Sequence, residues 1–372
     1  MNLRCAITLC LASLAAASAA SAQSIPMTAD RWTLDAEASF LEQDGRQAVR
    51  LGAGPGAPLK GGQAALNDVE FSTGVIEYDV QVGSHRDFAY VFFRADGAGN
   101  SESFYLRPHQ SGNPDSTQYT PIINGNAAWQ IFTGEGFTSA VRFKPGQWMH
   151  VRLDVYRDSA LVTLDGETAL AVPDLKGVTR TGSMGFIANA GTLFSNVSVT
   201  PIPDYENPTP PPAPEPPVAG TVGSWRVSRP MDKDAAMTRA AAGDWSGVEW
   251  LDIPVETNGV ANLSLAGPNA AGAQTAVARF TLNSDAERTA TMRFGFSDQV
   301  RVFLNGRPVY EGADAQASRD YRFLGIVGLW DTLFLPLRAG DNEVVLVVTE
   351  PTNGGWAATA RIEPQTGVTI AD

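Results

Sequence analysis

Apolar side chains in this chain recur at every second residue, and almost nowhere at the three-and-four spacing of a helix. In Val75–Val82, Ile76, Tyr78, Val80 and Val82 alternate with Glu77, Asp79 and Gln81. Phe88–Arg94, Trp148–Val155 and Ala160–Leu164 repeat the pattern, as do Gln274–Leu282, Thr289–Phe296, Val300–Leu304 and Asn342–Val348. A period of two is the mark of strands with one buried face. Asp165-Gly166 and Asn305-Gly306 read as tight hairpin turns between such runs. Only Asp232–Ala242 reads as a short helix. Many short strands with frequent turns predict an all-β chain built as β-sandwiches of jelly-roll type.

A second feature divides the chain. Pro201 to Pro217 holds 9 of the 24 prolines, and such a run neither pairs into a sheet nor continues a helix, so it reads as an extended, semi-rigid spacer. At the N-terminus, Arg4, the apolar run Ala6–Ala17 and Ala20-Ser21-Ala22 read as a cleaved signal peptide. The run is too short to span a bilayer. The predicted organisation is a signal peptide over 1–22, a first sandwich over 23–200, a linker over 201–220 and a second sandwich over 221–372. The expected location is periplasmic or secreted, with no membrane insertion.

Both cysteines, Cys5 and Cys10, fall in the leader, so the remaining chain has no disulfide and no thiol chemistry. Arg4 is the only charged residue of 1–22, so losing that segment takes the net charge from −13 to −14. This acidic balance argues against nucleic acid and anionic membrane surfaces as partners. The three histidines, His85, His109 and His150, show no ligand spacing for a transition metal. No cofactor is expected; a structural calcium ion is compatible with the frequent Asp and Asn, although no EF-hand loop is present.

The richest concentration of hydrogen-bonding groups is Phe104–Gln130. It holds Tyr105, Arg107, His109, Gln110, Ser111, Asn113, Asp115, Gln118, Tyr119, Asn124, Trp129 and Gln130, with neither Lys nor Glu. Amides, an imidazole, a guanidinium and hydroxyls between aromatic brackets suit a neutral, hydroxyl-rich ligand such as a sugar. Alternation places Phe104 and Leu106 inward and Tyr105, Arg107 and His109 outward, with Gln110–Gln130 as a loop closing one end of that surface. Arg94 ends a strand in phase with Tyr90 and Phe92; Arg152 shares a face with Trp148, His150 and Asp154. Arg107, His109, Asp115, Gln118 and Trp129 are expected to converge with Arg94 in one cleft, and the surface to continue over Glu77, Asp79 and Arg152.

Two couples are candidates for acid–base chemistry. Glu77 and Asp79 stand at i and i+2, about 7 Å apart along a strand, within the range glycosidase carboxylates need. His109 with Asp115 is the other couple. No Gly-x-Ser-x-Gly elbow is present.

Gly74-Val-Ile-Glu-Tyr-Asp-Val, Tyr90-Val-Phe-Phe-Arg94, Gly146–Leu153, Val162–Gly166, Gly182–Ala188 and Phe194–Val197 follow in an order that resembles the concanavalin A-like lectin/glucanase sandwich. Within it, the likeness is to laminin-G-like and 3-keto-disaccharide-hydrolase-type domains of exported bacterial proteins. The resemblance covers most of 65–200 and implies ligands on a concave sheet face. Family-16 glucanases of this fold carry a third carboxylate, Glu-x-Asp-x-(x)-Glu; here Gln81 and Val82 stand at those positions, so their chemistry is not implied. Arg107–Asp115 resembles an Arg-Pro-His-x-Ser-Gly-x-Pro-Asp segment of bacterial relatives. Phe296–Gly306, Leu335–Val344 and Gly355–Arg361 resemble a galactose-binding-like sandwich. The reading is an exported carbohydrate-binding protein that takes a glycan or small saccharide on the first sandwich. The alternative is a glycoside-cleaving or glycan-modifying enzyme of the 3-keto-disaccharide-hydrolase type. A scaffold for another exported protein is disfavoured by the few apolar groups in the segment.

Overall fold

The computed structural model describes residues 23–371, except 54–59, 213–214, 317 and 320–323. The leader reading, with Cys5 and Cys10, lies outside the described residues.

The first sandwich packs two antiparallel sheets. One runs Glu167–Val172, Ala160–Leu164, Trp148–Val155, Gly74–Gln81, Ala190–Pro201, Arg46–Gly52 and Ala38–Gln43 in spatial order, with Gln23–Ile25 added to Ala190–Pro201; it is the back sheet below. The other, the front sheet, runs Asn126–Ala127, Thr117–Ile123, Ser101–Leu106, Ala89–Ala95, Ser183–Ala188, Gly62–Leu66 and Trp32–Leu34, with Thr138–Ser139 paired to Thr117–Ile123. Alternation sends Ile76, Tyr78 and Val80 of the back sheet inward to meet Val91, Phe93, Phe104 and Phe186 of the front. Phe186 is the hub: Phe194 stacks on it at 4.4 Å, Tyr78 meets it edge-on at 4.9 Å and Trp32 lies at 5.6 Å. Each large side chain removed from water here contributes on the order of 2 kcal/mol, enough in sum to hold a sandwich with no disulfide.

The second sandwich is asymmetric. A larger sheet runs Trp250–Pro254, Ser224–Ser228, Thr275–Ser284, Gly340–Thr349, Gln299–Leu304 and Arg307–Ala313, with Val368–Ala371 added to Thr275–Ser284. A smaller one runs Ala261–Asn262, Ala357–Ile362, Arg288–Ser297 and Asp331–Leu337. Trp225 and Trp356 are fully buried in its core. The predicted hairpin at Asn305-Gly306 joins Gln299–Leu304 to Arg307–Ala313, and both turn residues have positive φ. Lys233–Ala242 is the one α-helix among the described residues. Asp232 caps it by accepting the Ala235 N–H, and Gly243 ends it in the left-handed region. Its Ala236 and Ala240 pack on the outer face of the larger sheet. Among the described residues no helix is long and apolar enough to cross a membrane.

The start of the proline-rich stretch is tied to the first sandwich. The Tyr205 ring packs tilted against Tyr156 at 4.7 Å, its hydroxyl donates to Asp154, and Asn207 donates to Ser159.

The two sandwiches also touch directly. Ala128, Ile131 and Phe132 of the first form a small apolar cluster with Val260, Val327 and Ala357 of the second. Lys176 reaches across to Glu256 at 2.7 Å.

Candidate functional site

The outer face of the front sheet carries a groove of about 400 Å³. Cross-strand register builds its floor. Gln63, Ile187, Tyr90, Tyr105 and Gln118 stand side by side across five neighbouring strands, and Ala65, Gly185, Phe92, Ser103 and Thr120 form the next row. Residues directly opposite on adjacent strands share a face. Tyr90 and Tyr105 are 4.6 Å apart between ring centres. Trp129 and Ile122 wall one side, and the turn Gly97–Asn100 and Ser101 lie at the rim. Among the described residues that line the groove there is no Asp, Glu, Lys, Arg or His. Burial pushes the Tyr90 hydroxyl up to about 12 and raises that of Tyr105 well above its ordinary value, so both stay neutral hydrogen-bonding groups.

Gln118 is the brace beneath this surface. Its Oε1 accepts the Tyr105 hydroxyl, and its Nε2 donates to the backbone oxygens of Trp129 and Phe132 at 2.8 and 2.7 Å. With both amide hydrogens engaged, it fixes Tyr105 and Trp129 rather than offering itself to a ligand.

The sequence-predicted residues do not form one cleft. Tyr105 and Trp129 line the groove. Arg107 and His109 leave its face because the strand ends at Leu106 and Pro108–Gln110 is a turn of 3-10 helix; Pro108 has no N–H to extend the ladder. Arg107 is buried, paired with Asp115 and set 5.7 Å from the centre of the Phe88 ring. His109 meets Phe88 edge-on at 5.1 Å, and its Nδ1 accepts the Asp87 N–H. Burial, reinforced by Arg107 and Arg86, lowers its pKa and keeps it neutral. Among the described residues no hydrogen bond joins His109 to Asp115, whose carboxylate serves Arg107 instead. Gln110 and Asn113 bond each other, and Ser111 accepts the Phe143 N–H.

Arg94 is a larger departure. Its φ of 54° and a register shift opposite Ser183–Gly185 break the alternation, turning the side chain into the protein. There it donates to the carbonyls of Ser72, Tyr156 and Arg157 and faces buried Glu102 at 3.9 Å. Tyr119 points inward too, its hydroxyl on Glu102. Burial raises the Glu102 carboxyl, against the pull of Tyr119 and Arg94.

Glu77, Asp79 and Arg152 lie on the outer face of the back sheet, the opposite side of the sandwich from the groove. Asp79 takes Arg46, His150 Nδ1 at 2.8 Å and Asn196 Nδ2 at 2.7 Å. Glu77 faces Arg152 at 3.2 Å, and Arg152 is bidentate to Asp154. Both members of the Glu77–Asp79 couple are held in a surface ion-pair network.

Asn124 and Gln130 belong to the contact between the sandwiches: Asn124 Nδ2 donates to the Ser264 carbonyl, and Gln130 accepts from Ser297 Oγ at 3.0 Å. The expected loop Gln110–Gln130 contains a full strand, Thr117–Ile123, which Pro121 disguises in sequence. The groove residues that sequence reasoning missed include Gln63, Tyr90, Phe92, Asn100, Ser101, Ser103, Thr120, Ile122 and Ile187. Tyr90 and Phe92 were legible as an outward aromatic pair; the others become neighbours only through strand order. Among the described residues no group of three His, Cys, Asp or Glu side chains is placed to hold a metal ion.

No family model matches this sequence, and no curated protein matches it. Solved structures align with part of the chain. A carbohydrate-binding module, CBM66 from Bacillus subtilis, is 15% identical with a TM-score of 0.35, over 45% of this chain and 95% of that one. A prokaryotic β-1,3-1,4-glucanase (lichenase) from a mouse hindgut metagenome is 12% identical with a TM-score of 0.34, over 47% and 95%. A Bacillus licheniformis β-glucanase is 10% identical with a TM-score of 0.35, over 49% and 98%.

Proposed function

We propose that this chain is an exported carbohydrate-binding protein that takes a neutral glycan in the groove of the front sheet. The observation that carries the reading is the groove's composition: aromatic rings on floor and wall, hydroxyl and amide groups at the rim, and no charged side chain among its described lining residues. Pyranose rings present apolar C–H faces that pack on aromatic rings, and equatorial hydroxyls that bond neutral polar groups. A charged polysaccharide would lose hydration there with nothing to pair it. Export rests on the composition of residues 1–22. Hydrolysis of a glycosidic bond calls for two flanking carboxylates. With none lining the groove, and with Glu77 and Asp79 on the far face, binding is favoured over cleavage.

The test is calorimetric titration of the protein with neutral polysaccharides (laminarin, soluble starch, hydroxyethylcellulose) and with charged polygalacturonate. Binding of at least one neutral chain is expected, with Tyr90→Ala and Trp129→Ala each weakening it about 10-fold, as loss of one aromatic contact implies. Preference for polygalacturonate, or unchanged affinity in both variants, would overturn the reading.

A further inference from the structure

The wall of the groove is not held by the first sandwich alone. From Asn124 to Phe132 the chain forms the edge of the front sheet, where Asn126–Ala127 is the outermost strand, and then runs off it, and the second sandwich grips it at successive points. Asn353 imitates a strand partner: its Oδ1 accepts the Ala127 N–H and its Nδ2 donates to the Gly125 carbonyl, both at 3.0 Å. Asn258 Nδ2 donates to the Ile131 carbonyl at 3.0 Å.

Between these points stands Gln130, with no exposed surface. Its backbone N–H donates to the Gly354 carbonyl, and its own carbonyl accepts the Val327 N–H. Its amide donates to the Leu324 carbonyl at 3.2 Å and accepts from Ser297 Oγ. Gly325, Gly354 and Gly355 form the pit around it; a methyl group on any of the three would collide with the Gln130 side chain or backbone. Every polar group of Gln130 therefore ends on the second sandwich. Its neighbour Trp129 faces the other way and walls the groove, its carbonyl held from below by Gln118.

We infer that the second sandwich is a clamp for the groove, with Gln130 and Asn353 as positioning residues that hold Trp129 at the ligand. The inference rests on the glycan-binding reading for its purpose but not for its geometry. A free loop would lose conformational entropy on stacking against a ligand; a loop already seated in a pit does not. The second sandwich thereby contributes to affinity while touching no ligand, and the two sandwiches form one binding unit.

The full chain labelled with 5-fluorotryptophan tests this by ¹⁹F NMR, with the Trp129, Trp32 and Trp225 lines assigned from Trp→Phe variants. Gln130→Ala empties the pit, and Gly354→Ala fills it from the opposite sandwich. Asn353→Ala removes two hydrogen bonds, adds only the small strain of alanine at a φ of 63°, and guards against a folding defect as the milder variant. The expected result is a shifted or broadened Trp129 line in all three variants. The lines of Trp32 and Trp225, each buried in one core, should hold and report that both sandwiches remain folded. A Trp129 line identical to the parent's in Gln130→Ala and Asn353→Ala overturns the clamp. The same samples are titrated with laminarin, soluble starch and hydroxyethylcellulose, where a 5- to 10-fold loss is expected in Gln130→Ala. If the Trp129 line moves but the parent chain binds none of the three, the clamp stands and the glycan reading falls. If the parent binds and Gln130→Ala binds equally well, the glycan reading stands and the clamp falls.

Discussion

One backbone dihedral decides what Arg94 is for. In an unbroken strand it would stand beside Tyr90 and Phe92 in the groove. With φ at 54° it becomes a buried cation that ties three carbonyls to Glu102. Removing one partner of such a pair leaves the other charge buried, at a cost of about 3–5 kcal/mol. Arg94→Ala should therefore lose about that much stability in urea unfolding, and adding Glu102→Gln should restore part of it. Simple additivity of the two losses would show that the residues do not act as a pair. The alternation was legible around Arg94 but the shift was not, because a positive φ at a non-glycine residue leaves no mark in a run such as Tyr-Val-Phe-Phe-Arg.

At the level of strands, the two-residue period reported the buried faces of Gly74–Gln81 and Trp148–Val155 correctly. Ile76, Tyr78 and Val80, and Met149, Val151 and Leu153, all lie in the core as their spacing required. The groove needs a further fact, the order in which strands lie side by side. Ser183–Ala188 inserts between Ala89–Ala95 and Gly62–Leu66 from far along the chain, bringing Gly185 against Phe92 and Ile187 against Tyr90. Gly185 keeps the floor open, since a side chain there would meet the Ala64 carbonyl and the Phe92 ring. Gly185→Val should displace Phe92, cost about 1–3 kcal/mol through overpacking and weaken glycan binding. Thermal melting and the same titration check both. Undiminished affinity would mean that the second row of the floor takes no part in binding.

For the whole molecule, the contact between sandwiches carries its own pH dependence. Glu350, beside the Gln130 pit, is buried, accepts from the N–H groups of Thr352 and Gly354, and lies 3.3 Å from Ser297 Oγ. Burial first, and the neighbouring Asp298 carboxylate second, push its pKa up to about 7. Asp314 close by is raised by burial too, partly offset by Arg319, which also pairs with Asp331. An acid whose folded pKa lies above its unfolded value contributes stability that is full below the unfolded value and is lost as pH rises through the folded one. The second sandwich should accordingly melt higher at pH 5.5 than at pH 8, by on the order of 5 °C, and Glu350→Gln should flatten that difference. A melting temperature that rises over the same interval in the parent chain would contradict the assignment.

Period and punctuation were sufficient for an all-β chain with a sandwich on each side of a proline-rich stretch, since these depend only on neighbours along the chain. Tyr105 and Trp129 were legible as aromatic brackets of a polar segment for the same reason. The shape of the groove, the inward turn of Arg94, the separation of Glu77 and Asp79 from Tyr105, and the seating of Gln130 in a pit of three glycines were decided by tertiary structure. Each depends on contacts between segments tens to hundreds of residues apart, and local periodicity holds no record of them.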